Sequence, residues 1–422
     1  MKISQPVAKL LNKGVRMPNP FSVEIGEEVD TERISAKGVA FFGGTRITGG
    51  NSFIGPGVAL GAEAPVILHN CCLGKNVELK GGFFTGSVFL DGTVIASGAH
   101  VRENCLLEEE VKIGHAVGLK QTILFPFVAL GSLINFCDIL MAGGTGRNNH
   151  SEVGSSYIHF NFTPNQDKAT PSLLGDVPKG VMLREAPLFL GGQGGLVGPS
   201  RLGFGAVVAA GVIWNGDSPE GGKLLRGRKE HPVEQDFFPG LYFDIRRRVV
   251  NNVLYYANLM ALRLWYAHVR DFLASPDERN LMERARAVIE GASEERLARF
   301  RVLSQKMDQS IELGKTRLPE KYRRQILQRQ IEFRERWNDL EESLTSRRED
   351  DAGLPKRDAF LDDLVRIKNT EAEGYLHALA ALDQDAVSTG SDWLQAVVND
   401  VAQRGLAVLP SFIDGNHYHT RS

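Results

Sequence analysis

Arg102 and Lys120 stand 18 residues apart in the run HVRENCLLEEEVKIGHAVGLKQ. Arginine offers a planar fork of donors and lysine a mobile point charge, a combination that suits phosphate. Taken singly, each is better explained as a surface cation. His150 and His159 follow downstream. Imidazole removes protons near neutral pH, although a lone histidine is more often structural or superficial. The four cysteines, Cys71, Cys72, Cys105 and Cys137, show no metal-ligand spacing, so no metal is expected. All four stand in apolar text and read as buried free thiols, which fits a reducing cytoplasm.

A repeat is what would bring such distant residues together. A hexapeptide β-helix sets an aliphatic residue at every sixth position, pointing into a triangular prism, with a small residue after it at the corner. The chain supplies such pairs at Ile25-Gly26, Ile54-Gly55, Leu60-Gly61, Leu73-Gly74, Ile113-Gly114, Leu130-Gly131, Val153-Gly154, Leu190-Gly191 and Leu202-Gly203. A β-sandwich would show alternation of period two instead, and it does not dominate. Eighteen residues are three hexads, so Arg102 and Lys120 should emerge on one wall of the prism. Residues 79–92 and 161–172 break the rhythm and are expected to leave the prism as loops. Two Gly-rich strings, FFGGTRITGG at 41–50 and MAGGTGRNN at 141–149, are expected to be turns of the prism.

The 422 residues are too many for one ordinary domain. Most of the 45 glycines precede residue 230, and the text then turns rich in Leu, Arg, Glu and Ala. We expect an N-terminal segment at 1–22, the β-helix at 23–228, a linker at 229–240 and an α-helical domain at 241–422. Helical periodicity runs through 241–274, 278–290, 293–313, 318–347, 357–384 and 391–406. Tyr255, Tyr256 and Trp265 read as core. The Arg/Glu-dense stretch 320–350 reads as a solvated face. A net charge of −2 argues against a nucleic-acid partner. No stretch of 18 apolar residues spans a membrane, and the N-terminus has no signal-peptide pattern, so the cytoplasm is expected.

Three segments resemble the left-handed β-helix acetyltransferase half of the bacterial glucosamine-1-phosphate acetyltransferase/uridylyltransferase family. The run from His100 to Gln121 looks like its phosphate-gripping segment. The resemblance places the family's phosphate-binding Arg and Lys on Arg102 and Lys120. The run EVGSSYIHFN, residues 152–161, is similar to its sugar-contacting segment. Its Asn falls on Asn161, its Tyr on Phe162, and its loop Lys on or beside Lys168. The run FLGGQGGLVGPSRLGFGAVVAAGVI, residues 189–213, looks like the acetyl-CoA segment. A serine there becomes Gly192, the second Ala of the coil is matched by Ala210, and the basic group beyond the last coil falls on Arg226 or Arg228. The resemblance implies acetyl-CoA as co-substrate, a sugar phosphate or nucleotide sugar as acceptor, and a homotrimer. No counterpart of that family's uridylyltransferase half is expected in these residues.

The catalytic histidine departs from the family. Counting forward from Lys120 gives Ser132, and counting back from Asn161 gives Asp138. The candidate bases are therefore His150, His159 and Asp138. Three functions stay open: an acyl-CoA-dependent transferase, a non-catalytic sugar-phosphate binder, and a trimeric scaffold for the helices.

Overall fold

The computed structural model describes residues 3–227, 234–369 and 374–413. Residues 229–233 of the expected linker, and Arg228 before it, lie outside the described residues, while 234–240 are described.

Residues 16–225 wind into a parallel β-solenoid with three ladders, one per wall of a triangular prism. The first wall carries Glu24–Ile25 through Ala99–Val101 to Ile213–Trp214. The second carries Phe53–Ile54 through Leu106–Leu107 to Arg201–Leu202. The third runs from Ala40–Phe41 to Leu224–Leu225, with Arg16 bridging Ala40 as one further rung. This is the stacked parallel architecture of the left-handed β-helix. A short helix, Gln5–Lys13, packs Val7 and Leu10 into the same core.

Each of the nine aliphatic residues in the expected pairs is buried in the prism. The glycines that follow are needed because the next coil passes where a side chain would stand. A Cβ on Gly154 would lie 2.4 Å from the Gly192 nitrogen, and one on Gly191 would lie 2.3 Å from that of Ala210. Backbone cannot yield as a side chain can, so that corner is closed to larger residues.

Residues 79–92 are not a loop. They form a coil on the solenoid, with strands at Gly82–Thr85 and Val88–Phe89, and Phe84 and Phe89 point inward. The paired glycines at 81 and 82 mimic a loop, but Gly82 simply lies against Ala99 of the next coil, whose carbonyl oxygen would be 2.2 Å from an added Cβ. The chain does leave the prism at 161–171. It also leaves at 142–150, where Gly144–Gly146 and Asn149–His150 pair as an antiparallel hairpin rather than a prism turn.

The second wall differs from the other two. Its outward residues Cys72, Val88, Leu106, Ile123 and Leu140 are as buried as their inward neighbours. The helical half covers them, forming one hydrophobic core with them. Burying such a side chain stabilises by about 1.5–3 kcal/mol, so this wall binds the two halves together. The helices include Arg246–Trp265, Arg279–Arg317, Glu320–Glu335, Leu354–Lys368 and Gln384–Ala407. Tyr255, Tyr256 and Trp265 are core residues. Arg279–Arg317 is one helix, where the periodicity had implied a break near residue 291. Gly291 explains the difference, since a Cβ there would lie 2.9 Å from the Asn104 side chain. The glycine lets the helix lie close on the solenoid rather than ending it.

A buried ionic group ties the halves at the far edge of this wall. Arg270 donates to Glu109 at 2.5 Å, and Tyr266 donates its hydroxyl proton to Glu108 at 2.5 Å. The Arg270 guanidinium stacks 3.6 Å from the Tyr375 ring centre. A cavity of about 220 Å³ adjoins this group. No described helix is long and apolar enough to cross a membrane.

Candidate functional site

The corner between the first and second walls gathers the cations. Val101 pairs with Leu119, and Lys120 pairs with Cys137, so Arg102, Lys120 and Cys137 occupy one column on three successive coils. Neighbouring coils stack about 4.8 Å apart, which brings the two charges within reach of one small anion. An Arg102 nitrogen lies 3.8 Å from the Cys137 sulfur. Cys137 is half-buried, unlike the other three thiols, which are fully buried. Burial and Asp138 raise its thiol, while Arg102, Lys120 and Lys168 all act in the opposite direction. Arg102 and Lys120 thus share the column with Cys137, and Lys168 lies on the excursion beside it. None has a carboxylate partner among the described residues. A groove of about 530 Å³ opens beside them, lined by His100, Arg102, Gly118, Asn135 and Ile158.

Lys168 reaches this corner from the excursion at 161–171. Its ammonium stands 6.0 Å from the centre of the exposed Phe162 ring. Asn161 is half-buried, and its amide donates to Asp138 at 2.9 Å.

Asp138 takes the left-handed backbone conformation, with φ of 61°. Asn104 and Gln121 do so at the same corner of the preceding coils. Short polar side chains tolerate this geometry, which gives the aspartate a structural reason to be there. Its carboxylate is 4% exposed and accepts from Arg296 at 2.7 Å and from Asn161.

His159 points inward, one coil beyond Phe136 in the aliphatic column of the first wall. Its Nδ1 contacts the Cys137 carbonyl at 2.5 Å, and its Nε2 contacts the Ser172 hydroxyl at 2.8 Å. Burial pushes its imidazole down to about 4. The depressed value means that folding favours the neutral ring. That contribution is complete above the unfolded value of 6.5 and is lost as pH falls toward 4. The expected result is a His159 ring whose proton NMR shifts stay flat from about pH 8 to about pH 5. A midpoint near 6.5 would contradict it.

His150 lies elsewhere. It belongs to the hairpin inserted between the second and third walls, where its Nδ1 meets the Arg147 carbonyl at 2.8 Å. The cations, by contrast, stand between the first and second walls.

Gly192, Ala210 and Arg226 line the third corner. Leu190, Val208 and Leu225 pair in register on successive coils, so Gly191, Ala209 and Arg226 stack, with Gly192 and Ala210 one position further round the corner. Among the described residues the Gly192 and Ala210 amides donate to no protein carbonyl. Arg226 is exposed on the next coil.

No family model matches the chain. The bifunctional protein GlmU of Thermotoga petrophila is 24% identical over 219 residues, covering 50% of this chain and 42% of that protein. Over half its length, this chain is GlmU-like. The GlmU of Acinetobacter baumannii strain AYE is 28% identical over 224 residues, or 51% of this chain and 42% of that protein. The GlmU of Nostoc sp. is 27% identical over 207 residues, or 49% and 40%. The chain thus spans well under half of these GlmU relatives.

The sequence did not point to Arg296. It lies in a helix whose charge pattern resembles any solvated face, yet it is 3% exposed and touches the centre of the site. Nothing local marks it, because its partner is 158 residues away.

Proposed function

We propose that this chain binds a sugar phosphate or nucleotide sugar at the corner formed by Arg102, Lys120 and Lys168. The observation that carries this is the stacking of Arg102 and Lys120 in one column with Cys137, with Lys168 on the adjoining excursion and none of the three paired with a carboxylate among the described residues. Arg102 and Lys120 would grip the phosphate from adjacent coils. Lys168 would close on it from the excursion. Asn161, one coil on, would offer its amide oxygen to the sugar while its nitrogen is held by Asp138. The exposed Phe162 face suits the apolar side of a pyranose ring. A GlmU-like relation over half of the chain supports this ligand class, as does the resemblance that puts the family's Arg, Lys and Asn on Arg102, Lys120 and Asn161.

Acyl transfer from acetyl-CoA is the second reading, and the corner that holds Gly192, Ala210 and Arg226 favours it. Two unpartnered amides with an arginine one coil further fit the carbonyls and phosphates of such a coenzyme. The transfer would form a bond from the acceptor nitrogen to the acyl carbon and release the coenzyme thiolate. The nitrogen must also lose a proton. Both Asp138 oxygens are occupied, both His159 nitrogens are occupied, and His150 stands at another corner. Binding therefore ranks above turnover. A homotrimer suits the exposed apolar residues Ile67, Ile158 and Ile213 on the first wall and Phe189 and Leu224 on the third.

A thermal-shift panel of glucosamine-1-phosphate, nucleotide sugars, inorganic phosphate and acetyl-CoA tests both. Sugar phosphates should raise Tm, by about 2.7 kcal/mol of stabilisation at a hundred times Kd. Acetyl-CoA stabilisation with release of free thiol would establish turnover. No shift from any phosphate-bearing ligand would leave the solenoid as a scaffold alone.

A further inference from the structure

We propose that Arg296, from the helical half, is a positioning residue for the phosphate-binding corner, so that ligand affinity depends on the helices. The proposal rests on the sugar-phosphate reading above and adds what holds that site in shape. One guanidinium makes both contacts. One Arg296 nitrogen donates to the Asp138 carboxylate at 2.7 Å, and the other donates to the Lys168 carbonyl at 3.2 Å. Asp138 follows Cys137 in the cation column, and its second oxygen holds Asn161. A single buried side chain thus links the solenoid column, the sugar-side amide and the backbone of the loop lysine.

The rest of the excursion is tied to the same half of the chain. Lys306 donates to the Asn165 carbonyl at 2.9 Å, Tyr242 to the Asp167 carboxylate at 2.8 Å, and Asn252 to the Ala169 carbonyl at 2.9 Å. The Asn165 amide donates to the Leu241 carbonyl at 3.0 Å. The excursion's own hydrogen bonds, as from Thr163 to Asp167 and from Thr170 to Asn161, shape its turns, and the ties from the helices fix where those turns hold Lys168. Arg296 also neutralises Asp138. Without it, an unpaired carboxylate would stand beside the cations and oppose a phosphate.

The two effects separate in a set of variants. Arg296→Met should weaken glucosamine-1-phosphate binding by about tenfold in calorimetry. Arg296→Met with Asp138→Asn removes the stray charge and should recover only part of the loss. In a Lys168→Ala background the Arg296→Met penalty should shrink, because Arg296 acts through Lys168. Amide hydrogen exchange across 161–171 should speed up in the Arg296 variants, with or without ligand. Arg296→Lys keeps the charge but reaches one partner only, and it serves where the methionine variant does not fold. It too should show faster exchange and weaker binding. Wild-type affinity in a folded Arg296 variant, additive penalties with Lys168→Ala, or unchanged exchange of 161–171 would each overturn the proposal. If the wild type binds neither glucosamine-1-phosphate nor inorganic phosphate, the ligand reading falls. Loop exchange in the free protein then still decides whether Arg296 holds the excursion.

Discussion

Arg102→Ala and Lys120→Ala each weaken glucosamine-1-phosphate binding by about tenfold to a hundredfold, because a charge-assisted hydrogen bond contributes roughly 1.5–3 kcal/mol. The combined variant should show no saturable binding. Stability should move by no more than about 0.5 kcal/mol, since Arg102 is exposed and neither side chain has an ionic partner to lose among the described residues. This contrast between affinity and stability is what identifies a ligand site. Calorimetry with parallel thermal melts measures both. Added salt should weaken the wild type more than either variant, as screening acts on the charges that remain. If both single variants bind as the wild type does, the cation column is surface decoration and the scaffold function stands.

Arg270→Met is the variant expected to destabilise most. It leaves Glu108 and Glu109 buried without their cation, and Tyr375 without the guanidinium stacked on its ring. Removing one partner of a buried ion pair costs about 3–5 kcal/mol, mostly from stranding the other charge. Urea unfolding should show that loss. Adding Glu109→Gln should restore a large part of it, because the amide needs no counter-charge. The pH dependence has a definite sign. Burial raises the Glu108 carboxyl above its unfolded value. Its protonated form therefore contributes stability at low pH that is lost as pH rises through the folded value. Without Arg270 the rise is larger, so the deficit should be greatest near pH 8 and smaller near pH 5, about where a raised carboxyl regains its proton. A deficit that grows on acidification would contradict the role given to this group.

The solenoid was legible because its rule is local. An aliphatic residue followed by glycine means an edge and a corner, whatever lies elsewhere in the chain. Leu130-Gly131 and Leu190-Gly191 obey it although the chain between them leaves the prism three times, at 142–150, 161–171 and 175–188. The stacking of Arg102 and Lys120 on one wall follows from the same arithmetic. The rule misled at Gly81 and Gly82, where glycines serve close coil packing rather than a loop. Helical periodicity likewise falters between 290 and 293, where Gly291 allows an unbroken helix to touch the solenoid. Glycine has one sequence signal for several physical reasons, and only the neighbour distinguishes them.

The covered wall also has a signature in the sequence. Cys72-Leu73, Val88-Phe89, Leu106-Leu107, Ile123-Leu124 and Leu140-Met141 are adjacent apolar pairs on one wall. Successive strand residues face opposite sides, so such pairs mean a wall buried on both. They announced that helices cover this wall.

The sequence by itself determined the prism, its three corners and the shared wall of Arg102 and Lys120, because each depends on spacing within a coil or two. Only the tertiary structure decided what the polar residues do. Asp138 is a buried acceptor for Arg296, His159 fills an aliphatic place in the column, and Lys168 is brought to the cations by a loop held from the helical half. Those roles are set by partners from other coils and from the helices, and charge or burial at one residue depends on all the elements packed around it.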